Sequence, residues 1–149
     1  MEAAAAYGLD SLRDGRGLAV SDFDGDGGLD FVVNNYNGQA HYFVNRVPGR
    51  GHWLRVRLRG STSNRDGIGA IIRLRTGGRG QMRVVAAGDG YASQNSRIAH
   101  FGVGTATKID ELEVTWPSGR RQRFTLVPVD RVLEIDENES DLRRGSDRK

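Results

Sequence analysis

The sequence predicts an all-β fold, an antiparallel β-sandwich or barrel-like domain preceded by a small β-meander. Three observations predict it. Apolar and β-branched residues occur in short runs, most of these runs alternate with a period of two, and glycine or asparagine turns separate them. A helical period is almost absent, so every element that follows is interpreted as a strand.

The first three runs, within residues 1–46, predict the meander. They are GLAVSD, LDFVVNN and AHYFVNR. The acidic loop SDFDGDGGLDF joins the first two, and YNGQ, which contains Asn37-Gly38, joins the second to the third. Because Asn-Gly is a strong signal for a tight hairpin turn, these runs are predicted to pair in order.

A second set of runs, within residues 52–136, follows the linker RVPGRG and predicts the larger β domain. Trp53 and Arg55 face one side of a strand while Leu54 and Val56 face the other, as the pleat requires. The runs are HWLRVRLRG, GAIIRLRTGG, GQMRVVAAG, SRIAHFGVG, IDELEVTWPSG, RRQRFTLV and DRVLEIDE. The last segment, residues 137–149, is polar and charged throughout and is predicted to be a disordered tail.

Composition limits the class of protein. The chain has 149 residues, 37% of them hydrophobic, which suits one domain with a small appendage. No run approaches the roughly 18 apolar residues of a membrane span. The first residues lack the basic and apolar regions of a signal peptide, so any export signal is expected elsewhere. Without cysteine, the sequence does not indicate a redox compartment.

The acidic loop is the strongest candidate site. It places Asp22, Asp24, Asp26 and Asp30 within nine positions, with glycines between them. Unit charges about 4 Å apart repel by roughly 4 kcal/mol at a protein surface, so a folded loop that gathers them favours a bound cation. Oxygen ligands at alternate positions, with the backbone carbonyl of Gly28 among them, suit calcium better than magnesium or zinc.

The loop does not match a helix-flanked calcium loop, which requires an acid at position 12, here Val33. Its pattern DxDxDGxxD instead resembles the calcium loops of FG-GAP and VCBS repeats, found in integrin-like β-propeller blades. The doubled glycine at positions 27 and 28 is a variation on that pattern. The resemblance implies that the meander is a propeller blade fragment, and that its partner is a set of propeller repeats N-terminal to it in a longer chain.

A second resemblance covers residues 52–136. The segments HWLRVRLRGSTSNRDGIGA, GYASQNSRIAHFGVG and IDELEVTWPSG resemble the ASPIC/UnbV domain, in that order. This implies a noncatalytic β module at the cell exterior, extracellular, on the cell surface or periplasmic, that serves adhesion or recognition of a protein or glycan.

Three further interpretations stay open. Polar loop residues form a candidate ligand surface: Asn64, Arg65, Asp66, Tyr91, Ser93, Gln94 and Asn95. A polysaccharide-acting enzyme or accessory domain would use acids such as Asp66, Asp89 or Glu113 in a cleft, although no motif marks a pair. Arginines that alternate along the strands could bind a polyanion, although a solvated strand face is the favoured explanation and nucleic acid is not expected: Arg55, Arg57, Arg59, Arg73, Arg75 and Arg83.

Overall fold

The computed structural model describes residues 8–140 and 142–145, apart from the side chain of Arg144, and these residues form two compact units. The first unit contains the described residues up to Arg46 together with Gly88–Ser96, and the second contains Val47–Ala87 and the described residues from Arg97 onward. The first stretch of the first unit ends at Arg46, and the predicted meander spans residues 1–46. The assignment of Gly88–Ser96 to the first unit was not predicted.

The first unit is a three-stranded antiparallel sheet in the order β1-β2-β3. Its strands are β1 (Gly15–Ser21), β2 (Asp30–Asn35) and β3 (His41–Phe43). Two contacts attach residues 88–96 to β1. The Val20 N–H donates to Oδ1 of Asn95 at 2.8 Å. A Cβ on Gly17 would lie 2.9 Å from the Ala92 carbonyl oxygen, so glycine at this position permits the close approach.

The second unit consists of two four-stranded sheets, β11-β10-β4-β7 and β6-β5-β8-β9. Its strands are β4 (His52–Arg59), β5 (Ile71–Thr76), β6 (Arg79–Val84), β7 (Ala99–Gly104), β8 (Lys108–Thr115), β9 (Arg121–Pro128), β10 (Arg131–Asp136) and β11 (Arg143–Arg144). Neither sheet closes on itself, so the architecture is that of a sandwich and not of a barrel. The pairing of β10 with β4 is parallel, unlike the other strand pairs, and departs from the predicted antiparallel arrangement.

The core of the second unit forms because alternate residues of both sheets are buried. Leu54 and Val56 of β4 are fully buried, as are Leu112 and Val114 of β8, and Trp116 is 2% exposed. These are the faces that the period-two alternation predicts. Fully burying one such side chain contributes about 1.5–3 kcal/mol, so this core is the main source of stability in the second unit.

The C-terminal segment differs from the disordered tail that its composition predicts. Glu137 is fully buried, and Arg143–Arg144 pairs with β10 as β11. The physical reason is that backbone and hydroxyl donors of residues 61–63 and Ser118 hold the Glu137 carboxylate and that the edge of β10 accepts another strand. Residue 141 and residues 146–149 of the predicted tail lie outside the described residues, as do residues 1–7 of the predicted meander.

Within residues 8–140 and 142–145, the structure has no helix of the length and hydropathy needed to cross a membrane.

Candidate metal site

The acidic loop connects β1 to β2 and turns through two glycines in the left-handed region. Gly25 has a φ of 80° and Gly27 a φ of 87°, conformations that cost other residues roughly 1–2 kcal/mol. Backbone N–H groups therefore point back toward the preceding carboxylates. Asp22 accepts from Gly25 N–H at 2.7 Å and from Gly27 N–H at 3.1 Å.

Asp24 and Asp26 continue this arrangement nearer to solvent. Oδ1 of Asp24 accepts from the Asp26 N–H at 3.2 Å, and Oδ1 of Asp26 accepts from the Gly28 N–H at 2.8 Å. Both aspartates are exposed, whereas Asp22 is 5% exposed. Backbone N–H groups of the loop thus donate hydrogen bonds both to the buried Asp22 and to the more exposed Asp24 and Asp26.

Asp30 is the deepest of the four aspartates and is fully buried at the start of β2. Its Oδ2 accepts from the Phe23 N–H and from the Tyr42 hydroxyl, each at 3.1 Å. Its Oδ1 accepts from the Asn45 N–H at 2.8 Å. One carboxylate therefore connects the loop, strand β3 and the segment that leaves the first unit.

The acidic surroundings of Tyr42 change the pKa of its hydroxyl. Desolvation, then the hydrogen bond to Asp30 and the negative charges of Asp30 and Asp24, raise the pKa of the Tyr42 hydroxyl. The phenol therefore remains a donor to Asp30 at neutral pH.

Three of the four predicted carboxylate ligands converge. One oxygen from each of Asp22, Asp24 and Asp30 lies within 4.8 Å of the other two. Calcium binds oxygens at about 2.3–2.6 Å, so ligands on opposite sides of the ion are about 4.6–5.2 Å apart. The donor set and its spread therefore fit a calcium ion. Asp26 is not part of this convergent group. Gly28, whose carbonyl is the remaining predicted ligand, is buried in the same loop.

Arg46 is the residue of this site that sequence reasoning missed. Its Nη1 donates to Oδ2 of Asp24 at 2.8 Å and to Oδ2 of Asp26 at 3.3 Å. The Phe31–Phe43 pairing in the hairpin places the residues after β3 beside the start of β2, and this register, which was not predicted, is the signal that would have located Arg46. Arg46 therefore supplies part of the positive charge that the sequence analysis assigns to a bound cation.

The predicted ligand-surface residues belong to both units. In the second unit, the Asn64 amide bonds the backbone of Ile68 in both directions, and Asp66 pairs with Arg97 at 2.6 Å. In the first unit, Asn95 donates to Asp89, and Tyr91 is 78% exposed. Several of these polar groups thus serve turns of their own chain. The remaining members of the set, Arg65, Ser93 and Gln94, lie in the same two loops.

The two tryptophans have different surroundings. Trp116 is in the core and donates its indole N–H to Oε1 of Gln122 at 2.5 Å. Trp53 is half-buried on β4, where its ring stacks with that of His100 at a centroid distance of 6.3 Å. Trp116 therefore acts as a core anchor, and Trp53 belongs to a sheet face.

A second polar centre, also missed from the sequence, surrounds Glu137 in the second unit. Its Oε2 accepts from three consecutive backbone N–H groups, those of Ser61, Thr62 and Ser63, at 2.7–2.8 Å. Its Oε1 accepts from the hydroxyls of Ser63 and Ser118. With every oxygen held, this centre is suited to a structural role.

Comparison with known proteins places the chain among related sequences. The family model described as "ASPIC and UnbV" matches residues 60–142. Cartilage acidic protein 1 of Xenopus tropicalis is 37% identical over 116 residues, which cover 74% of this chain and 18% of that protein. Cartilage acidic protein 1 of mouse and of human are each 36% identical over 128 residues, 81% of this chain and 19% of those proteins. The chain thus spans about a fifth of the length of these relatives.

Proposed function

Because the chain belongs to the ASPIC and UnbV family, we propose that it is a noncatalytic, calcium-binding β module that serves adhesion or recognition outside the cell. The family match and the relatives named cartilage acidic protein 1 support the extracellular assignment. The convergence of the oxygens of Asp22, Asp24 and Asp30 is the observation that carries the calcium assignment.

In this proposal Asp22, Asp24 and Asp30 hold the ion. Asp26 and the Gly28 carbonyl are also ligands in the predicted loop pattern, but Asp26 lies outside the convergent group and is not required for binding. When bound, calcium supplies positive charge that stabilises the turn between β1 and β2. The stabilisation then extends beyond the turn, because Asp30 also accepts hydrogen bonds from the Tyr42 hydroxyl and the Asn45 N–H. The first unit would be an FG-GAP/VCBS-type repeat, and propeller repeats of a longer chain would be its partner.

The contacts of the candidate acids support a noncatalytic role. Asp66 pairs with Arg97, Glu113 lies 3.7 Å from Arg73 and 3.6 Å from Arg123, and Asp89 accepts from Asn95. Hydrogen bonds from Asn95 lower the pKa of the Asp89 carboxyl. A lowered pKa makes the Asp89 carboxyl a poor general acid at neutral pH.

The arginine-rich strands fit a solvated face better than a polyanion site. Arg57 lies 3.9 Å from Glu134, and Arg123 lies 3.6 Å from Glu111. Arg83 stacks on the Phe101 ring with its Cζ 5.4 Å from the centroid. Much of the positive charge is therefore paired with acids or aromatic rings of the same unit.

Asp24→Asn, compared with Asp26→Asn, tests the calcium assignment. The Asp24 and Asp26 side chains are 28% and 26% exposed and both contact Arg46, but only Asp24 belongs to the convergent group. Since ligand charge sets calcium affinity, Asp24→Asn should weaken binding at least tenfold more than Asp26→Asn in isothermal titration calorimetry. Equal heats for the parent and Asp24→Asn would disprove the assignment.

The same two variants test recognition on a glycan array and on immobilised matrix proteins. If calcium orders the binding module, the parent and Asp26→Asn should bind the same spots in calcium, and Asp24→Asn should bind them more weakly. If the parent binds the same spots equally in calcium and in a chelator, recognition does not depend on the metal, and that part of the proposal is wrong.

A further inference from the structure

Arg46 occupies the acidic loop as a tethered cation. Its guanidinium contacts the outer oxygens of Asp24 and Asp26 at 2.8 and 3.3 Å, and its side chain is 68% exposed. Asp24 is also one of the three converging carboxylates. The Asp24 carboxylate therefore contacts Arg46 and is also a candidate ligand of the metal.

The backbone fixes where Arg46 can reach. The preceding residue, Asn45, donates its backbone N–H to Asp30 at 2.8 Å and its side-chain amide to the Leu29 carbonyl at 3.3 Å. Arg46 therefore begins from a position attached to the loop, and its effective concentration at Asp24 is high. A free monovalent cation brings no more charge than this tethered one, whereas a divalent cation does.

We propose that Arg46 is a built-in competitor for the metal, which lowers the calcium affinity of the loop and favours divalent over monovalent cations. This inference rests on the proposed calcium site. Without calcium, Arg46 offsets part of the repulsion among the aspartates. With calcium, its positive charge is repelled by the ion, and its contact with Asp24 is weakened or lost. An exposed ion pair contributes little to stability, so calcium can displace it.

Arg46→Gln tests the competition directly, with Arg46→Lys as the charge-preserving control and Arg121→Gln as the control for net charge. Arg121 is exposed at the start of β9 in the second unit. Calcium affinity of Arg46→Gln, measured by titration calorimetry, should rise about five- to tenfold at low ionic strength. That gain should shrink in 0.5 M NaCl because salt screens exposed charges. Both controls should bind within about twofold of the parent.

Thermal unfolding supplies a second readout, because the effect of Arg46→Gln on the unfolding temperature should differ between a chelator and calcium. In a chelator, Arg46→Gln should unfold a few degrees below the parent because the loop has lost its counter-ion. In saturating calcium this difference should vanish or reverse. A purely structural arginine would produce the same decrease in both conditions, which would overturn the proposal.

The possible failures are distinguishable. If the parent binds calcium and Arg46→Gln binds it with equal or lower affinity, the competition is wrong while the calcium site stands. If neither the parent nor Arg46→Gln binds calcium, the proposed function fails and the competition fails with it.

Discussion

Glu137 shows how a single buried charge organises a loop. Its side chain is fully buried, and three consecutive backbone N–H groups and two hydroxyls surround it. Burial, the largest single influence, acts to raise the pKa of the Glu137 carboxyl. Hydrogen bonds from Ser118, Ser63 and Ser61 together outweigh burial and lower this pKa from 4.5 to about 2. The charged carboxylate is therefore more strongly favoured in the folded chain than in the unfolded chain.

Glu137→Gln should lower the free energy of unfolding by roughly 2–3 kcal/mol at pH 7, since an amide replaces an anion that accepts charge-assisted bonds. The folded pKa lies below the unfolded one, so the parent holds this stability above about pH 4.5 and loses it as the pH falls toward about 2. The gap between parent and variant, measured by urea unfolding at pH 7, 4 and 3, should therefore narrow with acid.

Glu139→Gln is the matched control for this prediction. Glu139 lies two residues along and pairs with Arg143 near the surface. Its replacement should change the free energy of unfolding by less than about 1 kcal/mol, as is usual for a surface pair. A gap between parent and Glu137→Gln that stays constant from pH 7 to pH 3 would contradict the role of the charge.

Individual residues divide into those the sequence predicts and those it misses. The four aspartates are visible because their spacing is local and glycines lie between them. Arg46 and Glu137 act across 20 or more residues, Arg46 on Asp24 and Glu137 on Ser61. Such contacts depend on strand register and loop packing, which composition alone does not specify. The tail around Glu137 reads as disordered for that reason.

At the scale of the element, β8 and β9 follow the period-two pattern of burial except where one pair of opposed residues interrupts it. Leu126 in β9 has a φ of 53° and is 64% exposed. The ladder between β8 and β9 omits this residue and its opposite, Asp110, and then resumes. Alternation therefore changes face in both strands together. The sequence predicts both strands but not this interruption, because RFTLV reads as regular alternation.

Leu126→Gly should raise the free energy of unfolding by roughly 0.5–1 kcal/mol, because glycine relieves a left-handed conformation that costs a larger residue about 1–2 kcal/mol. Part of the gain is offset by the greater freedom of glycine in the unfolded chain. Thr125→Gly, the exposed neighbour in the same strand, should instead destabilise by roughly 0.5–1 kcal/mol. Equal destabilisation by both changes in a urea titration would show that the backbone at Leu126 is unstrained.

At the scale of the whole molecule, the two units differ in what stabilises them. The second has a continuous core between two sheets, with buried side chains from β4, β5, β7, β8, β9 and β10. The first is a three-stranded sheet whose most buried polar side chains are Asp22, Asp30 and Asn35, and it takes residues 88–96 from a distant part of the chain. Linear sequence predicts the boundary at 46 because a Pro/Gly linker marks it. It cannot predict the inserted segment, whose membership depends on contacts such as Val20 to Asn95.

If calcium stabilises the first unit only, its effect on backbone order should be confined to that unit. The N–H groups of Phe23, Gly25 and Gly27 and that of Asn45 donate to Asp22 or Asp30, the carboxylates that would hold the ion. Hydrogen exchange measured by mass spectrometry should therefore slow about tenfold on calcium addition in peptides from residues 21–30 and 43–46. Peptides from β4, β8 and β10 should exchange at unchanged rates, and Asp24→Asn should abolish the difference. Slowing that extends equally across both units would show that calcium stabilises the entire chain and would contradict a local role.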